Sequence, residues 1–64
     1  MNRKIRVHYP WKNTPPQSGF FVPTLKLEET RQDGLKAALH YRIFGKAEFG
    51  TKDGKLGVFF IRVR

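Results

Sequence analysis

Phe49-Gly50-Thr51-Lys52-Asp53-Gly54-Lys55-Leu56-Gly57-Val58-Phe59-Phe60-Ile61-Arg62 is the stretch whose reading decides the fold. Asp53-Gly54 supplies residue types that accept positive φ in a tight turn, so the segments on either side are expected to pair as a β-hairpin. Ala47 and Phe49 mark one side of the short arm, and residues 55 to 64 run back as a long strand. Along that strand Phe59, Ile61 and Val63 alternate with Val58, Phe60, Arg62 and Arg64. Arginines belong in water, so the alternation assigns the first set to the core and pushes Phe60 outward beside Arg62 and Arg64.

Upstream of the hairpin the period changes. Leu27, Arg31, Leu35, Ala38, Leu39 and Ile43 recur at three- and four-residue spacing, which predicts an amphipathic helix over residues 28 to 44, with Gly45 as its stop. Glu28, Glu29 and Asp33 fall early and Lys36 and Arg42 late, as the helix macrodipole favours; Thr24 offers an alternative N-cap four residues sooner. Gly34 inside this helix costs about 1 kcal/mol relative to alanine, a cost that close approach to a bulky aromatic would justify. Before the helix, Phe20-Phe21-Val22 reads as a short strand stopped by Pro23, and residues 12 to 19 as an exposed loop. Trp11 is expected as a lid on the small core. In residues 3 to 9, Ile5, Val7 and Tyr9 alternate with Lys4, Arg6 and His8, the pattern of another half-buried strand. The expected fold class is therefore α+β: a single domain over residues 1 to 64, of order β-β-α-β-β, with a small antiparallel sheet and one helix packed on one face.

The composition narrows the chemistry. Sixty-four residues leave little depth for a walled substrate cavity. The absence of cysteine removes disulfides, thiolate nucleophiles and cysteine-ligated metals. Ser18 is the sole serine, and His8 and His40 with five scattered carboxylates form no recognisable metal set. Neither enzymatic activity nor a cofactor is expected. Gly45, Gly50, Gly54 and Gly57 lack the strand-to-helix setting and the Lys-Ser/Thr ending of a phosphate loop, and read as turn and bulge residues. No apolar run reaches membrane-span length, so a cytoplasmic location is expected.

Charge points to the partner. Thirteen Lys/Arg against five Asp/Glu leave a net charge of +8. Residues 1 to 27 hold five bases and no acids, residues 28 to 45 three of each, and residues 46 to 64 five bases and two acids. A near-neutral lone helix argues against a helix-borne major-groove reader, and the sheet becomes the candidate surface. If the first and last strands are neighbours, Lys4, Arg6 and His8 join Phe60, Arg62 and Arg64 on one basic face with an aromatic on it. Such a face suits nucleic acid, DNA before RNA, bound with modest specificity: cations displace counterions from phosphates and a ring stacks on a base. The alternative is an effector that docks on an acidic host protein, adding its strand over residues 58 to 63 to a sheet edge. A third arrangement is a homodimer that buries Phe60 and Val58. Tyr41 lies off the apolar stripe and is free to touch a partner.

The order Tyr9-Pro10-Trp11, a polar loop, Ser18-Gly19-Phe20-Phe21-Val22-Pro23, a helix containing Gly34-Leu35-Lys36-Ala37-Ala38, and a hairpin ending Val58-Phe59-Phe60-Ile61-Arg62-Val63 resembles small basic proteins encoded by tailed bacteriophages. The likeness spans most of the chain, and the near-neutral helix departs from the more basic helices of that group. The resemblance implies a phage or prophage origin and an accessory role in the infected cell, on nucleic acid or on a host protein.

Overall fold

The computed structural model describes residues 9 to 64, so the strand expected over residues 3 to 9 falls, Tyr9 apart, outside the described residues. A single 3-10 turn, Trp11–Asn13, precedes β1 (Gly19–Pro23), α1 (Leu27–His40), β2 (Gly45–Lys52) and β3 (Lys55–Arg62). The three strands form one antiparallel sheet in the order β1-β3-β2. The α+β class stands as expected, and the described portion runs β-α-β-β with one α-helix.

The hairpin closes where the sequence put it. Lys52 pairs with Lys55, and Asp53 and Gly54 take φ of 53° and 77°. Both central residues are left-handed, the geometry whose twist matches that of the strands it joins. One correction follows from the position of β3. It pairs with β1 from Gly57 to Ile61 and with β2 along its whole length, so both of its edges are taken there. The expected pairing of the first and last strands lies outside the described residues, but β3 has no free edge over residues 57 to 61 with which to augment the sheet of a host protein.

The faces of β3 are the reverse of those expected. Val58 and Phe60 are 0% exposed and lie in the core with Trp11, Val22, Ala38 and Ile43. Phe60 is therefore neither a solvent-facing stacking ring nor, with Val58, available to a dimer interface. Register supplies the reason: Phe60 stands opposite Phe20 and Ala47, and Val58 opposite Val22, so all of these side chains share the face that α1 covers. Gly34 makes that face the better one. A Cβ at Gly34 would come within 2.2 Å of the Phe60 ring, so only glycine lets the helix settle onto the aromatic. The close approach expected of Gly34 is realised, and its partner is the ring expected outside.

Helix α1 is shorter than expected and rotated. Its buried positions are Thr30, Gly34 and Ala38, while Leu39 faces solvent. Arg42, not Gly45, ends it: Arg42 N–H donates to the Leu39 carbonyl at 2.9 Å, Ile43 N–H donates to the Ala38 carbonyl at 2.9 Å, and Arg42 takes φ of 59°. These are the paired bonds of a Schellman cap, closed by the apolar contact expected between Ile43 and Ala38, both buried. At the other end Thr24 is not the N-cap; its hydroxyl accepts from the Lys26 N–H and from the Thr30 hydroxyl, bracing the turn before the helix.

Helix α1 packs over β2 and β3, and Trp11 completes the cover toward β1. The Trp11 ring meets Phe20 and Phe60 edge-on at centroid distances of 5.0 and 5.9 Å, and its Nε1–H donates to the Gly34 carbonyl at 2.9 Å. The largest apolar side chain is the core lid expected of it, with its polar atom satisfied on the helix. Of the four glycines read as turn or bulge residues only Gly54 is one; Gly45, Gly50 and Gly57 lie inside strands.

Candidate nucleic-acid interface

A three-stranded sheet has two faces, and α1 with Trp11 occupies one. On the other, no described element packs. The register brings Phe21 of β1 opposite Phe59 of β3, with Glu48 of β2 on the far side of Phe59. By the same alternation Lys55, Gly57 and Ile61 of β3 and Lys46, Gly50 and Lys52 of β2 share this face.

Phe21 and Phe59 form its centre. Their ring centroids are 4.7 Å apart with planes inclined at 50°, and both side chains are half-buried. Each ring reaches over a glycine of the neighbouring strand: a Cβ at Gly57 would come within 2.6 Å of Phe21 Cζ, and one at Gly50 within 2.9 Å of Phe59 Cε2. Glycine at both places lets the rings recline on the sheet instead of standing off it. Exposed Lys46, Lys52 and Lys55 surround the pair, with Glu48 and Asp53 as the acids of the neighbourhood. A shallow depression of about 500 Å³ opens beside Phe21 and Pro23 and is bordered by Lys52, Asp53 and Lys55.

This arrangement offers flat apolar area and movable ammonium groups, with no enclosed volume in which water is excluded from a reacting bond. Among the described residues no three His, Cys, Asp or Glu side chains are grouped to hold a metal ion. No described helix is long and apolar enough to cross a membrane.

Of the residues singled out from sequence, the described ones, Phe60, Arg62 and Arg64, do not share one exposed surface. Lys4, Arg6 and His8 lie outside the described residues. Phe60 is core. Arg62 is half-buried and committed internally: its Nη1 donates to the Thr14 carbonyl at 2.9 Å, its N–H to the Ser18 carbonyl at 2.8 Å, and its carbonyl accepts from Gln17 N–H at 2.7 Å. Its Nε is buried with no hydrogen-bond partner among the described residues. Arg62 is thus a clamp on the loop over residues 14 to 18, with one of its guanidinium donors committed to Thr14. Arg64 is exposed, with Cζ 5.5 Å from the Phe44 ring centroid.

Sequence reasoning missed Phe21, Phe59 and the lysines of the open face because it let two arginines choose the side. A long side chain at the end of a strand can start on the buried face and still carry its charge to a polar partner at the rim, as Arg62 does at Thr14. The signal that points the right way is Gly34, which needs a large ring on the face beneath the helix. Comparison with protein-family models, with curated proteins and with solved structures returns no match to this chain.

Proposed function

We propose that the protein binds single-stranded nucleic acid without catalysis, laying bases on Phe21 and Phe59 and phosphates against Lys46, Lys52 and Lys55. The observation that carries this is the pair of half-buried rings on adjacent strands of a sheet face on which no described element packs, in a chain of net charge +8. Every base has a π-face, so such a platform tolerates sequence, and the lysines add affinity by releasing counterions from the backbone. A duplex keeps its base faces stacked inside and would use only the lysines. An accessory role in a phage-infected cell, which the sequence likeness implies, is compatible with an activity of this kind.

The test is a fluorescence-anisotropy titration of labelled oligothymidylate at several salt concentrations. Phe59→Leu keeps apolar bulk on the sheet while removing the π-face, and is expected to weaken binding by about 1–3 kcal/mol per base lost from the stack. Lys52→Gln with Lys55→Gln should flatten the dependence of log affinity on log salt by about 1.4, roughly 0.7 for each phosphate contact. Wild-type affinity in Phe59→Leu, or a duplex bound as tightly as the single strand, would count against the reading.

A further inference from the structure

The chain's five acidic side chains are Glu28, Glu29 and Asp33 in the first half of α1, Glu48 within β2 and Asp53 at the hairpin tip. At the opposite end, where α1 stops and β2 begins, residues 36 to 46 contain Lys36, His40, Arg42 and Lys46 and no acid. The fold adds two more cations there. Lys12 Nζ lies 5.9 Å from the Tyr41 ring centroid, and Arg64 lies over Phe44, its backbone N–H donating to the Phe44 carbonyl at 3.3 Å. Tyr41, Phe44 and Leu39 are all exposed.

The packing of the domain does not require this group of rings. The core closes beneath it through Ile43 and Trp11, leaving two aromatics and a leucine in water, each an unfavourable exposure for a chain this small. Rings paired with cations, beside a segment without acidic side chains, complement a ligand that is both anionic and planar. The surface also continues the track already described. Phe44 precedes Lys46 by two residues, and Lys46 stands opposite Ile61 on the open face at the end of β3 farthest from the hairpin tip. A strand of eight residues spans about 26 Å, so a bound nucleic acid running its length reaches this end of the sheet.

Resting on the single-strand reading, we propose that the bound strand leaves the sheet past Lys46 and continues over the end of α1, with Tyr41 and Phe44 receiving bases and Lys12, Arg42 and Arg64 receiving phosphates. The sheet holds a short segment, and the helix end lengthens the site.

Oligothymidylates of about 4 and about 12 nucleotides, titrated by anisotropy against the full chain, separate the two parts. Tyr41→Leu with Phe44→Leu removes the rings while keeping apolar bulk at exposed positions, and Arg64→Gln, tested alone, removes one cation; circular dichroism checks that each variant is folded. The expected result is a loss of affinity of about tenfold or more for the long oligomer and none for the short one. A loss of equal size at both lengths, or none at either, overturns the continuous track. So does full competition by a polyglutamate peptide, which would make the helix end a surface for acidic protein segments. Phe59→Leu distinguishes the two failures: if it leaves short-oligomer binding intact, the sheet reading falls, whatever the helix-end variants do.

Discussion

Gly34 and Phe60 together decide how α1 meets the sheet. Alanine at position 34 gains about 1 kcal/mol of intrinsic helix preference, yet its Cβ would sit 2.2 Å from the Phe60 ring, which Trp11, Phe20 and Tyr9 crowd from other sides. The ring has nowhere to move, so Gly34→Ala is expected to destabilise the domain by about 1–3 kcal/mol in chemical denaturation. A stabilised variant would show that the contact is looser than the geometry implies. Tyr9 makes a second residue-scale prediction. Its hydroxyl donates to Asp33 Oδ2 at 3.0 Å, and burial, followed by that hydrogen bond and the Asp33 charge, pushes its pKa from 10.0 up to about 12. The folded state therefore keeps the phenol proton where the unfolded chain has lost it. Stability from this source is complete below pH 10 and declines as pH rises toward 12. Thermal melts across that interval should fall more steeply for the wild type than for Tyr9→Phe.

Among the elements, α1 is held by its C-terminal cap more than by its surface ion pair. Glu28 pairs with Arg31 and accepts from Gln32 Nε2 at 2.9 Å; the hydrogen bond from Arg31, then that from Gln32, holds the carboxyl below its usual range. These side chains are exposed or nearly so, and such pairs add little to stability. The Schellman cap carries more, and it asks a non-glycine residue to take left-handed backbone at Arg42. Removing the Cβ clash at that residue relieves about 1–2 kcal/mol, partly offset by the freedom glycine gives the unfolded chain. Arg42→Gly is accordingly expected to raise stability by up to about 1 kcal/mol in a denaturant titration. A fall would mean that the guanidinium contributes to the fold. The sheet has its own logic: β3 is the central strand, with Val58 and Phe60 on one face and Phe59 with Ile61 on the other, so both faces are apolar along it while only one is covered by a described element. That imbalance is what leaves a platform.

For the molecule as a whole, a net charge of +8 sets folding and binding against each other in their response to salt. With Arg31–Glu28 the sole ion pair among the described residues, the cations mostly repel one another, and screening relieves that repulsion in the compact state. The thermal midpoint should therefore rise with added salt over the same range in which affinity for single-stranded nucleic acid falls. Parallel decline of both would mean that attraction within the fold outweighs self-repulsion. The proposed interface is legible only at this scale. Phe21 and Phe59 lie 38 positions apart in the chain, and it is the β1–β3 register that sets their rings side by side.

What the sequence determined by itself is local. Asp53-Gly54 dictated the turn because few residues accept positive φ twice in succession; the three- and four-residue period dictated a helix; Phe20 to Pro23 dictated a short strand; and Gly34 announced a large neighbour. Which strand became central, which side of β3 faced the helix, and hence that Phe60 is core while Phe59 is half-buried on the other face, were decided only by the tertiary structure. The physical reason is that period-2 alternation marks two sets of residues without saying which is inside. In β3 both sets are apolar, and the choice between them rests on partners distant in sequence: Phe20, Val22, Ala47, Trp11 and the cleft at Gly34.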